Sequence, residues 1–167
     1  PQEELWSCTT CGTCAVRCPK GISPYEFLID IRSMAVEEGQ IAPTLRDALE
    51  SIFKNGNPWG RIRTKRTEWA QGLNIKHISQ GAEYLYFVGC TPAYDTRVQE
   101  VAKSLANCLI KAQVDFATLG QEENCCGSEV YGIGEKGLFE YLVEENMKIF
   151  NKYNVKQVVT SCPHAYH

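Results

Sequence analysis

Nine cysteines in 167 residues constrain this chain more than any other feature. They stand at positions 8, 11, 14, 18, 90, 108, 125, 126 and 162, so four fall within eleven residues and two are adjacent. An odd count distributed in this way makes a poor disulfide framework. The pattern reads instead as thiolates kept reduced in a cytoplasmic compartment and ligating metal. The adjacent pair is the most demanding element. In a strand neighbouring side chains point to opposite faces, and in a helix they lie about 100° apart. Cys125 and Cys126 therefore call for a loop, and Gly127 directly after them supplies a permissive backbone.

The remaining composition is ordinary. Hydrophobic residues make up 44 % and charged residues 22 %, enough for one domain with a core or two small ones. A net charge of −3 gives no general affinity for nucleic acid or membrane. No apolar run approaches the length of a membrane-spanning helix, and no stretch reads as a secretory leader. The chain starts at Pro1, close before its first cysteine, and stops at "SCPHAYH", just after its last. It is expected to be a segment of a longer polypeptide.

Three zones are legible. Residues 1–20 form a cysteine-dense, loop-rich module. Residues 21–83 form a helical bridge and linker. There "ISPYEFLIDIRSMAVEEG" predicts a helix with Ser23 as N-cap, Pro24 at its first position, Glu26 completing a capping box and Gly39 as the stop. "PTLRDALESIFKNG" repeats the scheme with Thr44, Asp47 and Gly56. Arg61, Arg63, Lys65 and Arg66 then make a short basic patch, read as a solvated linker in preference to an anion or partner contact. From residue 84 to residue 167 strands and helices alternate. "YLYFVG", "VDFATLG" and "VKQVVTSC" read as strands. The first interval holds a helix with Val98, Val101, Ala102, Leu105, Leu109 and Ala112 on one stripe, and the second holds "KGLFEYLVEENMKIFNKY". The fold class is α/β, with a short parallel sheet and right-handed crossovers.

This order decides where the distant cysteines meet. Cys90, Cys125 with Cys126, and Cys162 each follow the carboxyl end of a predicted strand, where open α/β sheets bind ligands. Cys108 falls inside a helix beside Leu109 and reads as a small hydrophobe.

The first run, "CTTCGTCAVRCP", is C-x2-C-x2-C-x3-C-P, the ferredoxin-type spacing for a 4Fe–4S cluster. Closely spaced thiolates on a curled loop can each grip a different iron of one cube, and Gly12 relieves the turn. Zinc prefers two separated C-x2-C knuckles. In two-cluster ferredoxins the fourth cysteine serves the other cube. Cys8, Cys11 and Cys14 would then share one cube, with Cys18 reaching another whose remaining ligands would lie in an upstream C-x2-C-x2-C run outside this segment; this reading is preferred to one cube on all four.

Three readings meet at Cys125–Cys126: a strained vicinal disulfide, a chance pair of free thiols, or two ligands of one polynuclear cluster. Cys90 precedes the pair by 34 intervening residues and Cys162 follows it by 35, each about one β-α unit, which favours the cluster. "GC" at Gly89–Cys90, "CCG" at Cys125–Gly127 and "CPH" at Cys162–His164 resemble the CCG domain of heterodisulfide reductase and its relatives. The order of modules, with "NGNPWG" between them, looks most like the electron-transfer-flavoprotein:quinone oxidoreductases.

The resemblance implies that Cys90, Cys125, Cys126 and Cys162 hold a second 4Fe–4S cluster, cubane or non-cubane. A further cysteine ligand of the family pattern would stand at 165, where this chain has Ala165. Gly127 and His164 are expected beside the cluster, and His164 and His167 flank the Ala165 position. His77 carries no such expectation. The function implied is electron relay between the two clusters, with a flavoprotein partner, a quinone or disulfide at the other end, and a parent complex on the cytoplasmic face of a membrane. Two rivals are a heterodisulfide-type reductase whose cluster binds substrate sulfur and a zinc-organised interaction module.

Overall fold

The computed structural model describes residues 2–166, and for Gln2 and Glu3 the backbone alone; Pro1 and His167 lie outside the described residues. Two short helices, α1 (Gln2–Ser7) and α2 (Thr13–Val16), flank the first cysteine loop. Two longer ones follow, α3 (Pro24–Glu37) and α4 (Pro43–Asn55). Both start on a proline, which lacks the N–H that a first turn leaves unsatisfied and holds φ near its helical value. The expected capping box does not form: Ser23 occupies the N-cap without a side-chain cap bond. Thr44 lies inside α4, whose N-cap is Ala42, because Pro43 sets the first helical position one residue earlier. Gly56 ends α4 in the left-handed conformation, as its sequence position predicts.

The basic segment departs from the linker reading. Residues Arg63–Ala70 form a 3-10 helix that buries Arg66 and Trp69. Arg61 and Lys65 stay exposed, so the patch is split between solvent and core.

A three-stranded parallel sheet organises the second half, with β1 (Tyr84–Phe87) between β2 (Phe116–Ala117) and β3 (Gln157–Thr160). Helix α6 (Thr96–Lys111) joins β1 to β2, and α8 (Lys136–Lys152) returns the chain to β3. Asp95 caps α6 by accepting from Arg97 and Val98 N–H groups. The inner stripe of α6 is Ala102 and Ala106, with Leu105 and Leu109 beside them. Val101 is 54 % exposed and Cys108 is exposed, both lying off that stripe, so Cys108 does not serve as a core hydrophobe.

Three short helices begin where the strand-end loops turn back: α5 (Cys90–Tyr94), α7 (Ser128–Ile133) and α9 (Pro163–Tyr166). Helix α7 also meets the N-terminal half. A Cβ on Gly134, which closes α7 at φ +90, would stand 2.5 Å from Ser33 N and 2.8 Å from Arg32 C. Backbone therefore presses on backbone where α3 and α7 cross, and only glycine fits. Gly134→Ala is expected to lower stability by about 2–4 kcal/mol, combining left-handed strain with overpacking. Gly137→Ala, whose Cβ would meet nothing closer than Glu135 Oε1 at 3.6 Å, should leave the urea midpoint unchanged or raise it.

Candidate metal centre

The loops after β1, β2 and β3 close on one another through glycines. Gly89 has φ +84, and a Cβ there would lie 3.0 Å from Cys162 Cβ and 3.4 Å from its Sγ. The turn that starts α5 at Cys90 is thereby packed directly against Cys162. Gly127, at φ +89, caps α7 and fits under the Phe139 ring; its N–H reaches Cys125 Sγ at 3.5 Å. Asn146 Nδ2 on α8 donates to the Cys125 carbonyl at 2.9 Å, which fixes the first residue of the pair. Cys90 and Cys125 pack with Leu49, Ile52, Val130 and Leu142. Cys126 and Ala165 pack instead with Leu85, Phe87 and Leu119. The thiols thus sit at the seam between two apolar groups, which keeps water from one side of them.

A buried ion pair holds the seam together. Arg66 and Glu123 side chains are each 2 % exposed, with Nη2 to Oε1 at 2.8 Å. Glu123 also accepts from Val88 N–H and Gly89 N–H, both at 2.9 Å, so its carboxylate grips the turn that leads into Cys90. Arg66 Nη1 donates to Gly56 O at 3.2 Å, and Nη2 points to Asn124 O at 3.3 Å and Cys90 Sγ at 3.6 Å. Its guanidinium stacks 5.7 Å from the Tyr94 ring. Burial alone would lower the Arg66 pKa, but Glu123 and Cys90 outweigh it and the net shift is upward, so this side chain is a permanent cation beside the thiols. Beside Gly56, Asn57 is fully buried; its amide bonds Asn55 O, Arg61 O, Trp59 N–H and Arg61 N–H and ties "NGNPWG" into one compact loop.

The thiols share protons in a definite sense. Donating to Cys126 and Cys90, with burial added, pushes the Cys125 thiol far up. Receiving that hydrogen bond, against burial and with help from Arg66, holds Cys90 below the ordinary thiol range. Cys126 is lowered for the same first reason. Burial raises Cys162, offset in part by the Ala165 and His164 N–H groups. The donor set fits an iron–sulfur cluster: soft thiolates converge beside a fixed cation, and Arg66 Nε has no hydrogen-bond partner among the described residues.

The first run is built differently. Cys8, Cys11 and Cys14 are exposed and Cys18 is half-buried. Gly12 at φ 71 caps α2, as a curled loop requires. Thr10 N–H reaches Cys8 Sγ and Ile22 N–H reaches Cys18 Sγ, both at 3.4 Å. Thr13, chiefly through its hydroxyl, lowers Cys11, and the Ile22 N–H lowers Cys18. Backbone and hydroxyl donors thus already face sulfur. A second buried arginine joins this loop to the other site. Arg32, 5 % exposed, donates to Leu5 O and Cys8 O at 2.8 and 2.7 Å through Nη2 and to Gly132 O at 2.6 Å through Nη1.

Of the residues singled out from sequence, Cys90, Cys125, Cys126 and Cys162 come together, with Gly127 among them. His164 lies at the margin, 2.9 Å from Glu129, and Cys108 lies away on α6. His77 pairs instead with Ser79 and the Leu119 carbonyl. Sequence reasoning missed Glu123, Glu129 and Arg32 and misread Arg66. A charged residue two positions before the pair, in "EENCC", was the available signal for Glu123.

The CCG cysteine-rich domain model matches residues 84–166. The chain is 37 % identical, over 99 % of its length, to a "Probable iron-sulfur-binding oxidoreductase FadF" of Bacillus subtilis. It is 31 % identical over 98 % of its length to an "EtfAB:quinone oxidoreductase" of Syntrophomonas wolfei. Over 96 % of its length it is 31 % identical to one component of the dihydromethanophenazine:CoB--CoM heterodisulfide reductase of Methanosarcina mazei. It spans 25 %, 24 % and 39 % of these relatives. No solved structure matches it significantly.

Removing one partner of a buried ion pair leaves an uncompensated charge, so Arg66→Met should cost about 3–5 kcal/mol in urea unfolding. Arg66→Met with Glu123→Gln should recover part of that loss, and equal destabilisation in both variants would count against the pair.

Proposed function

Because residues 84–166 belong to the cysteine-rich CCG domain family, we propose that this chain is an iron–sulfur electron-transfer segment of an oxidoreductase. The observation that carries the reading is the convergence of Cys90, Cys125, Cys126 and Cys162 at one edge of the sheet, with Cys162 packed on the turn at Gly89 and Arg66 beside Cys90. In this reading those four cysteines hold one 4Fe–4S cluster, and Cys8, Cys11, Cys14 and Cys18 belong to a ferredoxin-type module. Iron–sulfur clusters, when bound, take up and release single electrons at potentials set by charge, hydrogen bonds to sulfur and exposure.

The chain's own residues supply those settings. Arg66 offsets thiolate charge at Cys90, and Gly127 N–H faces Cys125 sulfur. Leu49, Ile52, Val130 and Leu142 exclude water from the inner side. Arg32 fixes the spacing between the exposed loop and the buried thiols, since it holds Cys8 O and Gly132 O with one guanidinium. An exposed N-terminal run suits exchange with another protein, and a buried set suits storage or onward delivery.

The relatives' names point to an electron-transfer flavoprotein and a quinone as partners, or to a disulfide. No helix among the described residues is long and apolar enough to cross a membrane, while one relative is named a "Probable membrane-anchored ferredoxin". A membrane-held parent complex facing the cytoplasm fits that likeness. A second reading, a heterodisulfide-type reductase, is favoured by the half-exposed rim at Glu129 and His164, where substrate sulfur could approach.

Anaerobically prepared protein is expected to hold iron and acid-labile sulfide near eight of each per chain, as two 4Fe–4S clusters require. Cys126→Ser should abolish or alter the second cluster's paramagnetic signal and spare the first. Zinc without sulfide would overturn the electron-transfer reading. A change in the cluster spectrum on adding substrate thiol would favour the reductase.

A further inference from the structure

Among the described residues, Cys125, Cys126 and Glu129 place their ligand atoms within 4.8 Å of one another. Glu129 stands in the first turn of α7, just beyond the pair, so the chain itself carries a carboxylate onto the thiols. With both thiols ionised, as metal ligation requires, these three groups would repel one another unless a cation lay among them. Beside this carboxylate stands His164, with its Nδ1 2.9 Å from Glu129 Oε1. Oε2 has no hydrogen bond among the described residues. The two side chains are 48 % and 53 % exposed, so Glu129 closes the solvent side of a site whose inner side is apolar. Position 165 cannot supply a further donor, because Ala165 presents a methyl to the apolar group that holds Cys126.

We propose that Glu129 is an oxygen ligand to one iron of the cluster held at Cys125 and Cys126, the donor that a non-cubane cluster takes beyond four thiolates, with His164 orienting it through its other carboxylate oxygen. This assignment rests on the cluster reading above. It makes one iron of the second cluster chemically distinct from the rest: a hard carboxylate where the other donors are soft thiolates. Such a ligand faces solvent and is the one an incoming sulfur donor would displace. His164 acts as a positioning residue, as outer hydrogen bonds commonly do for metal ligands.

The test uses the intact chain loaded anaerobically with 57Fe and sulfide, in the unaltered protein and in Glu129→Gln, Glu129→Cys and His164→Gln. The unaltered protein should show one iron subsite with oxygen coordination in the Mössbauer spectrum of the second cluster. That subsite should vanish in Glu129→Gln and become thiolate-like in Glu129→Cys, with the N-terminal cluster unchanged in both. Glu129→Gln should also lose second-cluster iron to a chelator about tenfold faster, and His164→Gln by less. Urea midpoints of the metal-free variants serve as the folding control, since both side chains are half-exposed. A Glu129→Gln spectrum identical to the unaltered one, at full iron content, overturns the ligand assignment and leaves the cluster reading standing. Absence of any second cluster in the unaltered protein overturns both.

Discussion

The buried pair of Arg66 and Glu123 is the point on which the second half of the molecule turns. Two charges with 2 % exposure tolerate burial best when their other donors and acceptors are engaged, and here both carboxylate oxygens and both terminal guanidinium nitrogens have partners, Nε alone being left over among the described residues. The carboxylate closes the turn after β1, and the guanidinium gathers the end of α4, the loop before Cys125 and the Cys90 sulfur. Loops from three parts of the chain therefore cannot settle independently. A pair of this kind adds little net stability compared with apolar residues of the same shape, but losing either partner is expensive. Its worth lies in geometry: it places a fixed positive charge beside the Cys90 thiol, which would be anionic in the proposed cluster.

Arg32 applies the same device at the other boundary. One guanidinium satisfies carbonyls from the Cys8 loop and from α7, and Gly134 lets α3 and α7 approach closely enough for that to happen. Cation–π contact with Trp6 at 5.2 Å adds to the hold. The two cysteine groups are thus linked by hydrogen bonds to backbone, which tolerate changes in surface side chains. The proposed electron transfer needs a constant separation more than it needs any particular surface residue. The apolar seam and the buried arginines give the molecule that constancy without a large sheet.

Much of this could be read from the linear chain because the signals are local or periodic. Alternation of apolar strands with amphipathic helices is visible in any window, and it was enough for the parallel sheet, though β2 proved to be two residues long. The meeting of Cys90, Cys125, Cys126 and Cys162 followed from that topology, since each lies in the connection that leaves a strand's carboxyl end, Cys125 beyond the turn at Gly120–Glu122. Capping was legible only in part: Pro24 and Gly56 act through their own backbone and were read correctly, whereas the Ser23 and Thr44 caps depend on side-chain bonds that do not form. Val101 was misplaced on its helix because a spacing of three or four leaves the edge of a stripe ambiguous, and packing against the sheet resolves it in favour of Ala102 and Ala106.

Cysteine spacing and strand order carry enough information to say that these thiols gather at a sheet edge, because covalent intervals and periodicity survive in a string of letters. The long-range partners do not. Arg66 and Glu123 lie 57 positions apart, and Arg32 and Gly132 lie 100 apart. Nothing in either neighbourhood distinguishes a solvated arginine from one buried against a carboxylate or a carbonyl. Which charge is desolvated is decided only when the chain closes around it, since burial is a property of all the segments that surround a group.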